Sequence, residues 1–273
     1  MERVVESYCD AATELLPQSL RVQHDLMPIA QALRLAHQPE PGASAEALNT
    51  MTSPAQRRLI FEEFFLLQTA LALRRQRNRS AQATACRPAN DPVAEARTLF
   101  GFPLTAAQAR VLGEIVENLS DVKPMNRLLQ GDVGSGKTAV AVLAALSVAR
   151  SGAQTAFMAP TEVLAEQHYG RLKARLATCQ PPIRCRYLSS AVKGAERKQV
   201  LKEVASGEAH LLVGTQALLE EGVEFANLAL CVIDEQHRFG VMQRARLRSK
   251  GGRPHVLVMT ATPIPRTLFM TLY

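Results

Sequence analysis

The segment Leu128-Leu129-Gln130-Gly131-Asp132-Val133-Gly134-Ser135-Gly136-Lys137-Thr138 constrains this chain more than any other stretch. It sets a Gly-x-x-x-x-Gly-Lys-Thr loop between a short apolar stretch and a long apolar run. That is the strand-then-helix context in which such a loop cradles phosphates. Gly131, Gly134, Ser135 and Gly136 are expected to bring backbone N–H groups close to an anion, and the helix start adds its positive end. Lys137 is expected to reach the β- and γ-phosphates of a nucleoside triphosphate, and Thr138 to offer its hydroxyl to Mg²⁺.

From about residue 96 the chain alternates between short apolar runs and helical patterns. Strands are expected at Asn126–Gln130, Thr155–Ala159, Ile183–Leu188, His210–Gly214, Leu228–Asp234 and Val256–Met259. Helices are expected to begin near Thr105, Lys137, Thr161, Ala195, Thr215 and Met242. Continuously apolar strands separated by helices imply an α/β fold with a mostly parallel sheet covered on both faces. The helix from Lys137 is apolar almost all round, which fits burial on the sheet, and Ser151-Gly152 is its stop signal.

Residues 1–95 read instead as an α-helical segment. Ser53-Pro54-Ala55-Gln56 combines an N-cap serine, a first-turn proline and a glutamine three residues on, a strong helix start. The helix that follows sets Ile60, Phe64, Leu67 and Leu71 on one face. Phe61, Phe65 and Leu66 widen the stripe, so packing on two sides is expected. Ser80 to Pro92 reads as a mobile linker. Two domains follow, 1–95 and 96–273.

At 273 residues with 47% hydrophobic content the chain can build an ample core. Its longest uncharged helical run, Ala139 to Ala149, falls far short of the roughly 20 residues of a membrane span. The start Met1-Glu2-Arg3 has no signal-peptide core, and five cysteines without metal spacing suit reduced thiols, so a cytoplasmic location is expected. Net charge is +7, but residues 1–95 carry ten Lys/Arg against eleven Asp/Glu, so the whole surplus lies in 96–273. Residues 171–202 hold nine basic residues and only Glu196, a balance that suits either a polyanion such as nucleic acid or a solvated surface.

Three further features carry chemistry. Leu228 to Asp234 is an apolar strand ending in Asp234-Glu235, where the first carboxylate can hold Mg²⁺ and the second can polarise an attacking water. Leu257 to Thr262 is another, ending in Thr260 and Thr262, whose hydroxyls can bond those carboxylates and report on the γ-phosphate. Thr105 and Gln108 form a Thr-x-x-Gln capping box. Gln108 can alternatively read an adenine edge, with Phe102 or Leu104 packed on the base, and its place 23 residues before Gly131 favours that role.

Taken together, Phe102 to Gln108, the phosphate loop, Met158-Ala159-Pro160-Thr161-Glu162, Asp234-Glu235-Gln236-His237-Arg238-Phe239-Gly240 and Met259 to Leu268 resemble superfamily 2 helicases, and among them the RecG-type branch-migration helicases. The resemblance is tight from residue 98 onward and loose before. It implies a RecA-like first motor lobe that binds ATP and Mg²⁺, as part of a DNA-dependent ATPase acting on forks and Holliday junctions. Lys137, Asp234, Glu235 and His237 would be catalytic, with Gln236, Thr260 and Thr262 coupling hydrolysis to movement. Pro160, Thr161, Glu162, Gly214, Thr215 and Gln216 would lie along the DNA backbone. The expected partners are branched DNA and a second RecA-like lobe, with no membrane and a monomeric state.

The sequence departs from that pattern in three places. Ser189-Ser190 stands where the family usually has Thr-Gly, and Gln216 where it usually has His. The sequence also stops at Tyr273, without the second lobe and its arginine finger, a feature worth about 10³–10⁵ in rate; near-background hydrolysis is therefore expected of the chain alone. Other readings are a non-catalytic ATP- or DNA-binding module, a lobe of a transcription-repair coupling translocase, or another P-loop NTPase. Asp-Glu-Gln-His at 234–237 favours the RecG type over the translocase.

Overall fold

The computed structural model describes residues 7–79, 82–88, 90–234 and 253–261. It divides into two compact units, with the boundary between Gln76 and Arg77.

The first unit is helical: α1 (Gln18–Gln23), α2 (Ile29–His37), α3 (Ala45–Asn49) and the start of α4 (Pro54–Arg79). The capping box expected at Ser53 is present, with the Gln56 amide N–H donating to Ser53 Oγ at 3.3 Å. An ionic cluster sits at the heart of this unit. Arg58 is fully buried and donates to Glu14 at 2.6 Å, to Glu62 at 2.7 Å and to the Met27 carbonyl at 3.0 Å. Each bond offsets part of the cost of desolvating the guanidinium. The two-sided packing expected of α4 is not observed. Ile60, Phe64, Leu66 and Leu67 are between 39% and 59% exposed. The neighbouring helices and loops engage α4 at Gln56, Arg57, Arg58 and Phe61, which is only its beginning.

The second unit contains α5 (Pro92–Phe100), α6 (Ala106–Leu119), β1 (Asn126–Gln130), α7 (Lys137–Arg150), β2 (Gln154–Met158), α8 (Glu162–Leu176), β3 (Cys185–Leu188), α9 (Gly194–Ala205), β4 (Leu211–Gly214), β5 (Leu228–Asp234) and β6 (His255–Thr260). The six strands form one sheet in the order β1-β6-β5-β2-β4-β3, and every pairing is parallel. Because successive side chains alternate between faces, the strands feed two cores. Phe157, Val213, Leu230, Val232, Leu257 and Met259 meet α7 on one side. Met158, Leu212, Cys231, Ile233 and Val258 meet α9 and the turn Gln216–Leu219 on the other. Helix α7 is buried from Val140 to Ala149, and each Val or Leu so removed from water contributes roughly 1.5–3 kcal/mol. Ser151 is its C-cap, followed by Gly152 at φ +75°.

Two expectations for this unit are corrected. Residues 82–88, read as part of a mobile linker, form an extended strap fastened to the sheet unit. Ala83 N–H donates to the Val122 carbonyl at 2.6 Å and Cys86 N–H to the Leu119 carbonyl at 2.7 Å. The His255 imidazole bridges from the Met125 amide (3.1 Å) to the Thr84 carbonyl (3.1 Å), and Cys86 is fully buried. The helix expected near Thr215 is a single 3-10 turn, Gln216–Leu219. Glu220 leaves it in extended conformation, and Gly222 turns the chain at φ +88°. The helix expected near Met242 lies outside the described residues.

Candidate functional site

The phosphate loop leaves the end of β1, where Gln130 is in register with Thr260 on β6. Gly134 and Gly136 both have φ of +83°, a left-handed conformation that favours glycine. A Cβ at Gly136 would stand 2.3 Å from Gln108 Nε2, and one at Gly131 would stand 2.7 Å from Ser135 Oγ. The loop is thus close to its neighbours on the inside, while Val133 on its outside is 90% exposed. Gly136 provides no side-chain cap for α7, so the first helical N–H groups stay available at the loop mouth.

Lys137 Nζ donates to the Gly131 carbonyl at 2.6 Å and to the Asp132 carbonyl at 2.8 Å. The ammonium therefore lies across the loop it belongs to. Thr138 follows it in the first turn, half-buried. Gln108 uses both ends of its amide on protein partners. Its Oε1 accepts from Thr105 N–H at 2.9 Å, completing the capping box, and its Nε2 donates to the Ser135 carbonyl at 2.9 Å. One N–H and one lone pair of that amide remain for a base edge.

Asp234 ends β5 beside Met259 of β6, one residue before Thr260. The C-terminal ends of β1, β6 and β5 thus bring the loop, Thr260 and Asp234 to one edge of the sheet, the position where ligands bind in open α/β sheets. Thr260 is 1% exposed. Asp234 Oδ2 accepts from His168 Nε2 at 3.0 Å, a contact the sequence reading missed. The signal was available: Ala165, Leu172 and Leu176 mark the buried face of α8, and His168 falls on the same stripe. Glu235, Gln236, His237 and Thr262 lie outside the described residues.

A second cavity of about 490 Å³ lies over the ends of β2 and β4. Pro160, Thr161, Glu162, Thr215, Gln216 and Ser190 line it, which brings together five of the six residues assigned to the DNA backbone. The sixth, Gly214, ends β4, where a Cβ would meet the Leu188 carbonyl oxygen at 2.0 Å. Thr161 caps α8 by accepting from Leu164 N–H at 3.3 Å. Ser190 donates to Glu162 Oε1 at 2.6 Å, while Ser189 is buried and accepts from Ala191 N–H.

Much of the basic segment 171–202 is paired within the protein. Arg184 bonds Glu208 at 2.5 Å, Arg197 bonds Glu220 at 2.6 Å, and Arg186 bonds Glu203. Arg175 lies over the Phe100 ring and Lys173 over Tyr169. Arg171, Lys193, Lys198 and Lys202 have no ion-pair partner among the described residues, so the charge offered to a polyanion is smaller than composition suggested. The five cysteines are free, and burial pushes the thiols of Cys86 and Cys185 up to about 11 and about 12. No described group of three His, Cys, Asp or Glu could hold a metal. Thr138 and Asp234 suit Mg²⁺, which takes few protein ligands and completes its shell with phosphate oxygens and water.

A parallel sheet with a glycine phosphate loop opening a buried helix, and a carboxylate on a nearby strand end, defines a RecA-like P-loop lobe. The family model for DEAD/DEAH box helicases matches residues 105–271, and the chain belongs to that family. Within it the chain is similar to RecG proteins, as the motifs led us to expect. It is 47% identical to the ATP-dependent DNA helicase RecG of Synechocystis over 94% of this chain and 30% of that protein. It is 45% identical to that of Bacillus subtilis over 100% of this chain and 39% of that protein. A solved RecG bound to a three-way DNA junction superposes at a TM-score of 0.80 with 36% identity, covering 100% of this chain and 35% of that one. A DEAD box protein from Methanococcus jannaschii shares the fold, at a TM-score of 0.51 and 18% identity over 66% of this chain and 50% of that one. The chain thus spans between 30% and 39% of the length of these two curated relatives. No described helix is long and apolar enough to cross a membrane.

Proposed function

We propose that the chain is the first motor lobe of a RecG-type, ATP-dependent helicase that remodels branched DNA. Convergence of the phosphate loop, Thr260 and Asp234 on one sheet edge carries this reading. In it, the N–H groups of Gly131 to Thr138 hold the triphosphate tail. Lys137 exchanges the Gly131 and Asp132 carbonyls for β- and γ-phosphate oxygens. Gln108 reads the adenine edge while remaining tied to the loop. Thr138 and Asp234 would hold Mg²⁺, which would supply positive charge to offset that of the phosphates. Glu235 polarises the attacking water, and Gln236, His237, Thr260 and Thr262 link hydrolysis to DNA movement. Pro160, Thr161, Glu162, Gly214, Thr215 and Gln216 follow the DNA backbone. The helices up to Gln76 form the lead-in, and the unit from Arg77 onward forms the lobe. The protein acts as a monomer in the cytoplasm, where its DNA is, with the second motor lobe as its intramolecular partner.

The test compares Lys137→Ala with wild type in the whole protein, using ATP hydrolysis with and without forked DNA. Loss of a positioned cation at a developing phosphate charge is expected to lower turnover by roughly 10²–10³, with the circular dichroism spectrum unchanged. A variant that hydrolyses ATP at the wild-type rate overturns the reading.

A further inference from the structure

His168 has no part in the motifs, yet its side chain hydrogen-bonds the carboxylate assigned to the metal. Its Nε2 stands 3.0 Å from Asp234 Oδ2, and the two side chains are 12% and 15% exposed. A carboxylate can only accept, so the imidazole donates from Nε2. The ring cannot swing freely. Phe157, fully buried on β2, packs against it with centroids 5.0 Å apart and planes at 51°. Phe157 is itself in register with Val232, two residues before Asp234 on the neighbouring strand.

We infer that His168 is a positioning residue for the nucleotide site: it holds Oδ2 of Asp234 so that the other oxygen faces the hydrated Mg²⁺. The inference rests on the nucleotide reading above. A carboxylate on a strand end rotates about two side-chain torsions, and a donor on one oxygen removes most of that freedom. Groups that orient metal-binding carboxylates in this way commonly change metal affinity or activity by about 10–100-fold when lost. His168 also lies seven residues along α8 from Thr161, about 10 Å at 1.5 Å per residue. The helix that caps at the second cavity is therefore the helix that sets the carboxylate.

The experiment uses the whole protein and two substitutions of similar bulk. His168→Gln keeps an N–H at a comparable reach, while His168→Phe keeps the ring and loses the donor. Binding of a fluorescent ATP analogue is titrated against Mg²⁺, and hydrolysis is followed separately as kcat and KM for ATP. The expected result for His168→Phe is a roughly tenfold higher half-saturating Mg²⁺ and a lower kcat, with little change in KM. His168→Gln is expected to stay within about threefold of wild type on both measures. Two variants with the same Mg²⁺ dependence, both normal or both impaired, overturn the inference, because the donor would then not matter. Failure of the wild type to bind the analogue at any Mg²⁺ concentration overturns the nucleotide reading itself, and this inference with it.

Discussion

Gln108 Nε2 donates to the carbonyl of Ser135 at 2.9 Å, which ties the first turn of α6 to the phosphate loop. The same side chain closes the capping box on Thr105, so one amide fixes both a helix start and the loop it faces. Gln108→Ala is expected to weaken binding of a fluorescent ATP analogue by about tenfold, the value of one to two lost hydrogen bonds. It should also lower unfolding stability by about 1 kcal/mol through the lost cap. Titration and urea denaturation separate the two effects. Binding unchanged alongside lowered stability would confine Gln108 to capping.

Gly214 is the tightest of the described glycines. A methyl there would lie 2.0 Å from the Leu188 carbonyl oxygen and 2.9 Å from Leu218 Cδ1. The obstruction is backbone on the neighbouring strand, which cannot rotate aside. Gly214→Ala is expected to destabilise the protein by about 1–3 kcal/mol, read as a lower urea midpoint. Because β4 ends at the second cavity, binding of single-stranded DNA should weaken in the same variant under conditions where it remains folded.

His255 fastens the strap 82–88 by donating to the Thr84 carbonyl, and its burial pushes its pKa below the ordinary histidine range, more than the Thr84 bond and Asp121 raise it. A buried histidine with a lowered pKa takes up its proton more readily when unfolded. Its contribution to stability is thus full above the unfolded value, near 6.5, and declines as pH falls from there toward the folded one. Wild-type stability should therefore drop more steeply than that of His255→Asn as pH falls below about 6.5. The same substitution should make Cys86, a buried thiol held up at about 11, react faster with a thiol reagent. Equal Cys86 reactivity in the two proteins would show that His255 does not hold the strap.

The sheet was legible because its strands are continuous apolar runs, and each of the six expected runs is a strand within two residues of its expected ends. The helix starts expected near Thr105 and Thr161 are present, each capped by its threonine. What escaped was held by backbone or by distant partners. The strap 82–88 is mostly small and polar, without periodicity, and its order comes from carbonyls of Val122 and Leu119 that no local pattern reveals. The stripe on α4 is periodic yet exposed, since periodicity records what a face could bury and not what covers it. In the site, the loop and Asp234 were readable as motifs. His168 showed only as a polar residue on the buried stripe of α8, because its partner lies 66 residues away and only the parallel order of β2 and β5 brings them together.

That order has a mechanical consequence. The nucleotide rim, on β1, β6 and β5, and the rim facing the second cavity, on β2 and β4, meet at a single seam between β5 and β2. From Thr155↔Leu230 to Met158↔Ile233 the seam runs without a break in register, and no loop interrupts it. Hinges need chain ends or loops to absorb a change in backbone angles, and this seam offers neither. The two rims must therefore travel as one block, and any stroke that the proposed ATP turnover drives would have to open somewhere other than between them.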